Sequence, residues 1–245
     1  MTIKEVLFGR IAVLTLNRPA ALNAITDEMI SAIETALERH RESDADAIVI
    51  TGEGRAFCAG SDLKQVPRDI DDRIERMHAL ALNLIDHPKL SVAALNGLAL
   101  GGGLELALAC TFRVVTPEAK LGLPEVRLSV MPGYGGTQLL SRAVGTTRAL
   151  EMLLTGDSVS GTEARAMGLV TLISDNPLGA AVTLAERCTE HGQAVQRAIR
   201  RVIYEGRQLD LKAALRLEHE LNRPLSCSPE AIAAIQDFVD GATKA

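Results

Sequence analysis

The stretch that most constrains the fold is NGLALGGGLELALACTFRV, residues 96–114. It follows the apolar run SVAAL, which is typical of a buried strand, and it places three glycines ahead of LELALAC, which is typical of a buried helix. Glycines let a backbone approach a ligand closely, and the first turn of a helix has unpaired N–H groups at its positive end. The motif therefore predicts a site for an anion or oxyanion, with Glu105 beside it. The same residues could instead form a tight strand-to-helix turn, in which the Glu105 carboxylate interacts only with the positive end of the helix dipole.

Strand and helix patterns alternate on both sides of this stretch. Strands are predicted at residues 9–15, 47–51, 91–95, 112–115 and 170–173, and helices after Thr26 or Asp27 and at residues 67–87 and 138–154. This alternation is typical of an α/β layered architecture. From residue 178 onward only helical patterns remain, and they predict four helices. A strand-free end cannot rejoin a sheet, so it either covers the core or packs on another subunit.

Composition and charge exclude several classes of protein. The 245 residues are 47% hydrophobic and 23% charged, which predicts a folded chain. The net charge of −5, the lack of a long basic run and only six aromatic residues argue against nucleic-acid binding. The first ten residues lack the apolar core of a signal peptide, and no uncharged apolar run reaches about 18 residues. We therefore expect a cytoplasmic protein that binds neither nucleic acid nor membrane.

A second loop of small residues, AFCAGSDLK, covers residues 56–64 and follows the strand at residues 47–51. It could supply a second backbone amide donor. It could equally be an ordinary turn in which Asp62 caps a helix. The four cysteines are far apart in sequence and suggest neither a disulfide framework nor a metal site. Cys58 has no histidine near it in sequence, and such a cysteine is more often a buried thiol than a nucleophile.

A third loop, LGLPEVRLSVMPGYGGTQ at residues 121–138, carries Glu125 among apolar residues and glycines. A carboxylate in such surroundings is either ion-paired, with Arg127 the obvious partner, or has a raised pKa. Glu105 and Glu125 serving one bound water, with two amides for an enolate oxygen, would form a complete acid–base site. The five histidines share no motif, and the chain lacks the P-loop, G-x-S-x-G and H-E-x-x-H motifs.

Five stretches together carry a family resemblance. In chain order they are LNRPAALNAIT at residues 16–26, the three stretches quoted above at residues 56–64, 96–114 and 121–138, and LTGDSVSGTEARAMGLV at residues 154–170. In that order they resemble the crotonase superfamily and, within it, the enoyl-CoA hydratases. The resemblance implies an α/β, crotonase-like spiral of repeated strand-strand-helix units in residues 1–190. It also implies a helical trimerisation region in residues 191–245, and a homotrimer or a homohexamer built as a dimer of trimers.

The resemblance further assigns roles within the site. The thioester carbonyl of an acyl-CoA is expected between the backbone amides of Ser61 and Gly102, and the Ser61 side chain is expected to matter little. Glu105 is implied as the base and Glu125 as the acid on a bound water, with the amide of Gly133 helping to position it. The expected coenzyme A contacts are Arg18, Ala59, Gly60, Ser61, Asp62, Leu63, Lys64 and Gly102. No separate cofactor or metal is expected, because coenzyme A is part of the substrate.

The implied activity is that of a hydro-lyase of fatty acid β-oxidation, which adds water to a 2-enoyl-CoA thioester. Two alternatives remain open. One is an enoyl-CoA isomerase or another acyl-CoA lyase of the same fold, since such relatives commonly lack one of the two glutamates. The other is a non-catalytic protein that binds CoA esters or RNA. The predicted helix at residues 67–87 would form a wall of the acyl pocket.

Overall fold

The computed structural model describes residues 1–64 and 70–242. The chain divides into two compact units, residues 1–188 and residues 189–245. The strands are β1 (Ile3–Phe8), β2 (Ile11–Leu16), β3 (Ala47–Gly52), β4 (Ala56–Cys58), β5 (Leu90–Leu95), β6 (Leu98–Leu100), β7 (Phe112–Val115), β8 (Lys120–Gly122), β9 (Val159–Ser160) and β10 (Leu172–Ile173).

Helices follow the strands along the chain. They are α1 (Asp27–Arg41), α2 (Ile70–Asp86), α3 (Gly102–Ala109), α4 (Gly136–Val144), α5 (Thr146–Thr155), α6 (Gly161–Ala166), α7 (Pro177–Thr189), α8 (Gln193–Gly206), α9 (Leu211–Ser226) and α10 (Pro229–Ala242). Short 3₁₀ turns at Pro19–Ala21 and Pro124–Leu128 begin with proline, whose fixed φ suits a first helical position.

Two sheets organise the N-terminal unit. The larger has the order β1-β2-β3-β5-β7-β10 and the smaller has the order β4-β6-β8-β9. Pairing is parallel within each sheet except for β1 with β2 and β8 with β9. Each of the pairs β3 and β4, β5 and β6, and β7 and β8 adds one strand to each sheet in turn. A strand-strand-helix unit is therefore repeated along this part of the chain.

The core lies on both faces of the larger sheet. On one face α1, α2 and α3 contribute side chains that include Ile33, Leu80 and Leu104. On the other face Val13 and Val92 pack with Ala181 and Ala185 of α7. Strands β3 and β5 are buried at every position, as expected for parallel strands covered on both faces.

Helix α1 shows how sequence determines a local element. The Thr26 side chain accepts a hydrogen bond from the Met29 amide and so caps the helix. Met29, Ile30, Ile33 and Leu37 recur on one face and are all buried. The helix predicted after Thr26 or Asp27 is thus present, with its apolar face against the sheet.

The structure differs from the sequence prediction at several elements, and the four strands of the smaller sheet, β4, β6, β8 and β9, were not predicted as strands. The single helix predicted at residues 138–154 is two helices, because Gly145 between α4 and α5 has φ +81° and ends the first helix. Strand β1 was not predicted; it pairs antiparallel with β2, and five of its six residues are exposed. Its sequence, IKEVLF, has neither the apolar–polar alternation of a half-buried strand nor the continuous apolar run of a buried one. The start of the helix predicted at residues 67–87 lies outside the described residues, within which α2 begins at Ile70.

The C-terminal end is helical, as its sequence predicts. Helices α7 to α10 match the four predicted helical patterns, and residues 189–242 contain no strand. Across the described ranges, no helix combines the length and the apolar character that a bilayer crossing requires.

Candidate active site

Two loops that are distant in sequence meet at the start of α3. The loop after β4 is bound to the segment that precedes α1, because the Ala59 amide donates to the Leu22 carbonyl at 3.0 Å and the Ile25 amide donates to the Gly60 carbonyl at 2.8 Å. A Cβ atom added at Gly60 would lie 2.9 Å from the Leu100 carbonyl oxygen and 3.4 Å from the Gly102 nitrogen. Only glycine allows this approach, and it brings the backbones of Ser61 and Gly102 together.

The amides of Ser61 and Gly102 are both available to a ligand. Gly102 is the first residue of α3, so its N–H has no acceptor within the helix. Neither amide donates a hydrogen bond to another residue in the described ranges 1–64 and 70–242. The structure therefore brings together the two donors that the sequence analysis expected at an oxyanion site.

Glu105 lies in the first turn of α3 and its side chain is buried, with only 2% of the residue exposed. Its Oε1 atom accepts hydrogen bonds from the amides of Tyr134 at 2.8 Å and Gly136 at 2.7 Å. Burial raises the pKa of Glu105 from 4.5 to about 7, the two amides oppose the rise, and the charge of Glu125 adds to it. Glu105 is therefore poised to exchange a proton near neutral pH.

Glu125 lies in the 3₁₀ turn at Pro124–Leu128, and its carboxylate is directed at the backbone of Gly101. Its Oε2 atom is buried and has no hydrogen-bond partner among the residues that the structure describes. Burial raises the pKa of this carboxyl. Arg127, the ion-pair partner considered in the sequence analysis, instead pairs with Asp157 at 2.5 Å. The carboxylate of Glu125 is thus left for a ligand.

The arrangement combines two kinds of chemical group. Two carboxyls with raised pKa values, one buried and one half-buried, lie close enough for the charge of one to act on the other. Two free amides lie beside them at the start of α3. Such a set can move a proton to and from a bound molecule while the amides stabilise a negative oxygen.

Arg18 and Asp62 form an ion pair beside this site. An Arg18 guanidinium nitrogen lies 2.8 Å from an Asp62 carboxylate oxygen, and a second donates to the Ala24 carbonyl. The hydrogen bond from Arg18 lowers the pKa of Asp62 below its ordinary value. Asp62 also accepts a hydrogen bond from the Lys64 amide, as in the turn considered in the sequence analysis. Both side chains therefore hold the loop in place.

The remaining predicted contacts differ in exposure. Leu63 is 74% exposed and Lys64 is exposed, so both side chains are open to a ligand. Ala59 is half-buried, and its amide is used within the fold. Gly133 lies near Ile74 of α2, and its amide has no partner among the described residues.

Sequence reasoning missed three residues that shape the site. The amides of Tyr134 and Gly136 hold the Glu105 carboxylate. The Tyr134 hydroxyl lies 2.6 Å from the Ser61 hydroxyl, which was expected to have little effect. Buried Asn23, with φ +57°, donates hydrogen bonds to the carbonyls of Glu53 and Ala56 and supports the turn between β3 and β4. An aromatic residue flanked by glycines in MPGYGG was a usable signal for Tyr134.

Other candidate groups lie outside this chemistry. Cys58 is fully buried, and burial raises the pKa of its thiol to about 12, so it is protonated and unreactive. Within the part of the chain that the structure describes, no group of three or more His, Cys, Asp or Glu side chains could hold a metal ion.

Comparisons with known proteins agree on one family. The sequence model of the enoyl-CoA hydratase/isomerase family matches residues 8–240. The chain is 36% identical over 240 residues to a probable enoyl-CoA hydratase of Bacillus subtilis (strain 168), covering 94% of this chain and 92% of that protein. It is 35% identical over 242 residues to the 2,3-dehydroadipyl-CoA hydratase of Escherichia coli (strain K12), covering 96% and 94%.

A solved structure gives the same result for the fold. The crystal structure of an enoyl-CoA hydratase from Bacillus anthracis superposes with a TM-score of 0.93 at 30% sequence identity. The superposition covers 98% of this chain and 97% of the other.

Proposed function

The chain belongs to the enoyl-CoA hydratase/isomerase family, and we propose that it is a hydratase that adds water across the 2,3 double bond of a 2-enoyl-CoA thioester. The product is a 3-hydroxyacyl-CoA. The observation that carries this proposal is the pair of carboxyls with raised pKa values, buried Glu105 and half-buried Glu125, beside two free backbone amides. An acid and a base together are what the addition of water to a double bond requires.

In the proposed reaction Glu105 is the base. Its carboxylate takes a proton from water as the water oxygen bonds to C3 of the substrate. The amides of Tyr134 and Gly136 hold Oε1, which fixes the orientation of the carboxylate. The free amide of Gly133 is suited to hold the attacking water.

As the C3–O bond forms, the electrons of the double bond move toward the thioester oxygen. We assign the stabilisation of that oxygen to the amides of Ser61 and Gly102, because amides already aimed at the developing charge do not have to reorganise during the reaction. Protonated Glu125 then gives its proton to C2. The raised pKa of Glu125 keeps the proton available, and the unpaired Oε2 leaves room for a ligand.

We further propose that the CoA portion lies along residues 59–64. Lys64 is exposed and can reach a phosphate as a cation. Arg18 is already ion-paired with Asp62. We therefore propose that Arg18 acts on the phosphates through its electrostatic field and remains paired with Asp62. Backbone groups near Ala59 are proposed to read the adenine, which requires no aromatic platform.

The test is hydration of crotonyl-CoA and of longer and branched enoyl-CoAs, followed as loss of the enoyl-thioester absorbance. We expect Glu105→Gln and Glu125→Gln each to lower kcat by about 10²- to 10⁴-fold. Glu118→Gln, a change at an exposed glutamate, is the matched control and should leave kcat unchanged. If the wild type hydrates none of these substrates, the proposal is wrong.

The second candidate is an enoyl-CoA isomerase, which the family includes. Moving a double bond between positions 3 and 2 needs one group that shuttles a proton. An isomerase would convert a 3-enoyl-CoA faster than it hydrates a 2-enoyl-CoA, and it would lose activity in only one of the two Glu→Gln variants. The presence of both carboxyls at the site favours the hydratase.

We also propose that the protein assembles as a homotrimer or a homohexamer. Support comes from apolar side chains of the C-terminal unit that are exposed in the single chain, among them Val195, Ile199, Ile203, Leu215 and Phe238. Exposed apolar surface of this extent is typical of subunit interfaces. Sedimentation equilibrium gives the mass of the assembly, and a monomer at micromolar concentration would contradict the proposal.

A further inference from the structure

Tyr134 contacts three parts of the site at once. Its backbone amide donates to Oε1 of Glu105 at 2.8 Å. Its ring lies against Gly102, where an added Cβ would be 2.8 Å from Cδ2 of the ring. Its hydroxyl lies 2.6 Å from the hydroxyl of Ser61. One residue therefore connects the proposed base to both residues that supply the proposed oxyanion amides.

The connection between Tyr134 and Ser61 is made by their side-chain hydroxyl groups and not by the backbone alone. Tyr134 is 7% exposed, and its ring fills the space over Gly102. A buried hydroxyl requires a partner, and the hydroxyl of half-buried Ser61 supplies that of buried Tyr134 with one hydrogen bond. Removing either oxygen would free the Ser61 loop from the Tyr134 turn at this point while leaving the amide bond to Glu105 in place.

Resting on the proposed function, we propose that Ser61 and Tyr134 form a positioning pair. The hydrogen bond between their side chains fixes the distance between the oxyanion donor on one loop and the turn that holds Glu105. The pair acts through the backbone amide of Ser61 and the carboxylate of Glu105, not by contact with the reacting atoms. A misplacement of about 1 Å is enough to cost an enzyme much of its rate, so the spacing matters.

The test is a double-mutant cycle with Tyr134→Phe, Ser61→Ala and the double variant. Tyr134→Phe keeps the ring over Gly102 and the amide bond to Glu105, so it removes only the hydroxyl. We expect each single change to lower kcat for crotonyl-CoA hydration by about tenfold, the worth of one net hydrogen bond, with KM changed by less than about twofold. The double variant should be no slower than either single variant, because the same hydrogen bond is lost in each.

Ser43→Ala is the matched control. Its hydroxyl is bonded to His40, beyond the end of α1, and its loss should change neither kcat nor KM. Thermal unfolding of every variant separates a loss of fold from a loss of position. Ser61→Thr, which keeps the hydroxyl, should recover at least part of the lost kcat.

A second measurement does not depend on turnover. Acetoacetyl-CoA can bind as its enolate, whose absorbance reports on stabilisation of the thioester oxygen. We expect enolate affinity to fall about tenfold in each single variant and no further in the double variant. A wild type that binds the enolate but hydrates nothing would overturn the proposed function while still testing the pair. Unchanged kcat and enolate affinity in both single variants, or effects that multiply to about a hundredfold in the double variant, would overturn the pair.

Discussion

The backbone of Gly101 lies directly against the carboxylate of Glu125. A Cβ atom added at Gly101 would be 2.9 Å from Oε1 of Glu125. Gly101 also has φ +52° and ψ −130°, a conformation that residues with a side chain rarely adopt. The backbone conformation therefore favours glycine at this position, and an added methyl group would displace the Glu125 carboxylate one residue before the proposed oxyanion donor.

Gly101→Ala should lower kcat by at least about tenfold, because the methyl group displaces Glu125 and strains the start of α3 by about 1–3 kcal/mol. Steady-state hydration of crotonyl-CoA measures the effect. Gly9→Ala is the matched control, since Gly9 has φ +57° and an added Cβ there would meet nothing within 4 Å. It places a side chain at a positive φ without a steric contact and should leave kcat unchanged. Equal losses in both variants would show that strain alone, and not the contact with Glu125, is responsible.

The pH dependence of hydration should be bell-shaped. The active form holds one proton on the two carboxyls, so both full protonation and full ionisation of the pair abolish activity. Because the pKa of Glu105 is raised to about 7, one of the two inflections of kcat/KM should fall near pH 7. In Glu125→Gln the residual activity should instead rise once with pH, as Glu105 ionises. A profile that is flat from about pH 5 to 9 would contradict this assignment.

Glu105→Gln should stabilise the fold above neutral pH. The folded-state pKa of about 7 lies above the ordinary 4.5, so the buried carboxyl is least costly below pH 4.5, and stability is lost as the pH rises through 7. At pH 8 the cost approaches about 3 kcal/mol, from about 1.4 kcal/mol per pKa unit. A neutral amide at position 105 avoids this cost and still accepts the two backbone hydrogen bonds.

Urea unfolding at pH 5 and pH 8 measures this effect. The free energy of unfolding of Glu105→Gln relative to wild type should be higher at pH 8 than at pH 5. Glu118→Gln, at an exposed site, should show no such pH dependence. If Glu105→Gln is less stable than wild type by the same amount at both pH values, burial does not raise the pKa of Glu105.

The buried thiols should resist alkylation in the native protein. Cys58 and Cys110 are fully buried, and burial raises the pKa of each thiol to about 12. Iodoacetamide at pH 8 should therefore label neither residue until the protein is unfolded in urea, as followed by peptide mass spectrometry. Rapid labelling of native Cys58 would reopen the question of a nucleophilic role.

Local sequence was sufficient for the family, for most helices and for the strands of the larger sheet other than β1, but not for the short strands of the smaller sheet. The crotonase resemblance and the α/β fold that it implied are confirmed by the family match and by the structural superposition. Buried strands such as β3 and β5 were predictable because an unbroken run of apolar residues is stable only where it is buried. Strand β1 was not, since its pairing with β2 depends on a partner and not on its own apolar pattern.

The roles of Glu105, Glu125, Ser61, Gly102 and Gly133 are predictions from the family resemblance. Sequence alone fixed which loops carry small residues and carboxylates, because glycine and ionisable side chains have local signatures. It left open whether Arg127 neutralises Glu125, and the fold decided this by pairing Arg127 with Asp157.

Only the tertiary structure joined Ser61 to Tyr134 and gave Glu105 its raised pKa. Both effects come from segments that are far apart in the chain. The hydroxyls of Ser61 and Tyr134 are 73 residues apart in sequence, and the amides that hold Glu105 are 29 and 31 residues away. Sequence therefore determined which groups are present, while packing determined their distances, and proton affinity follows from distance and from the exclusion of water.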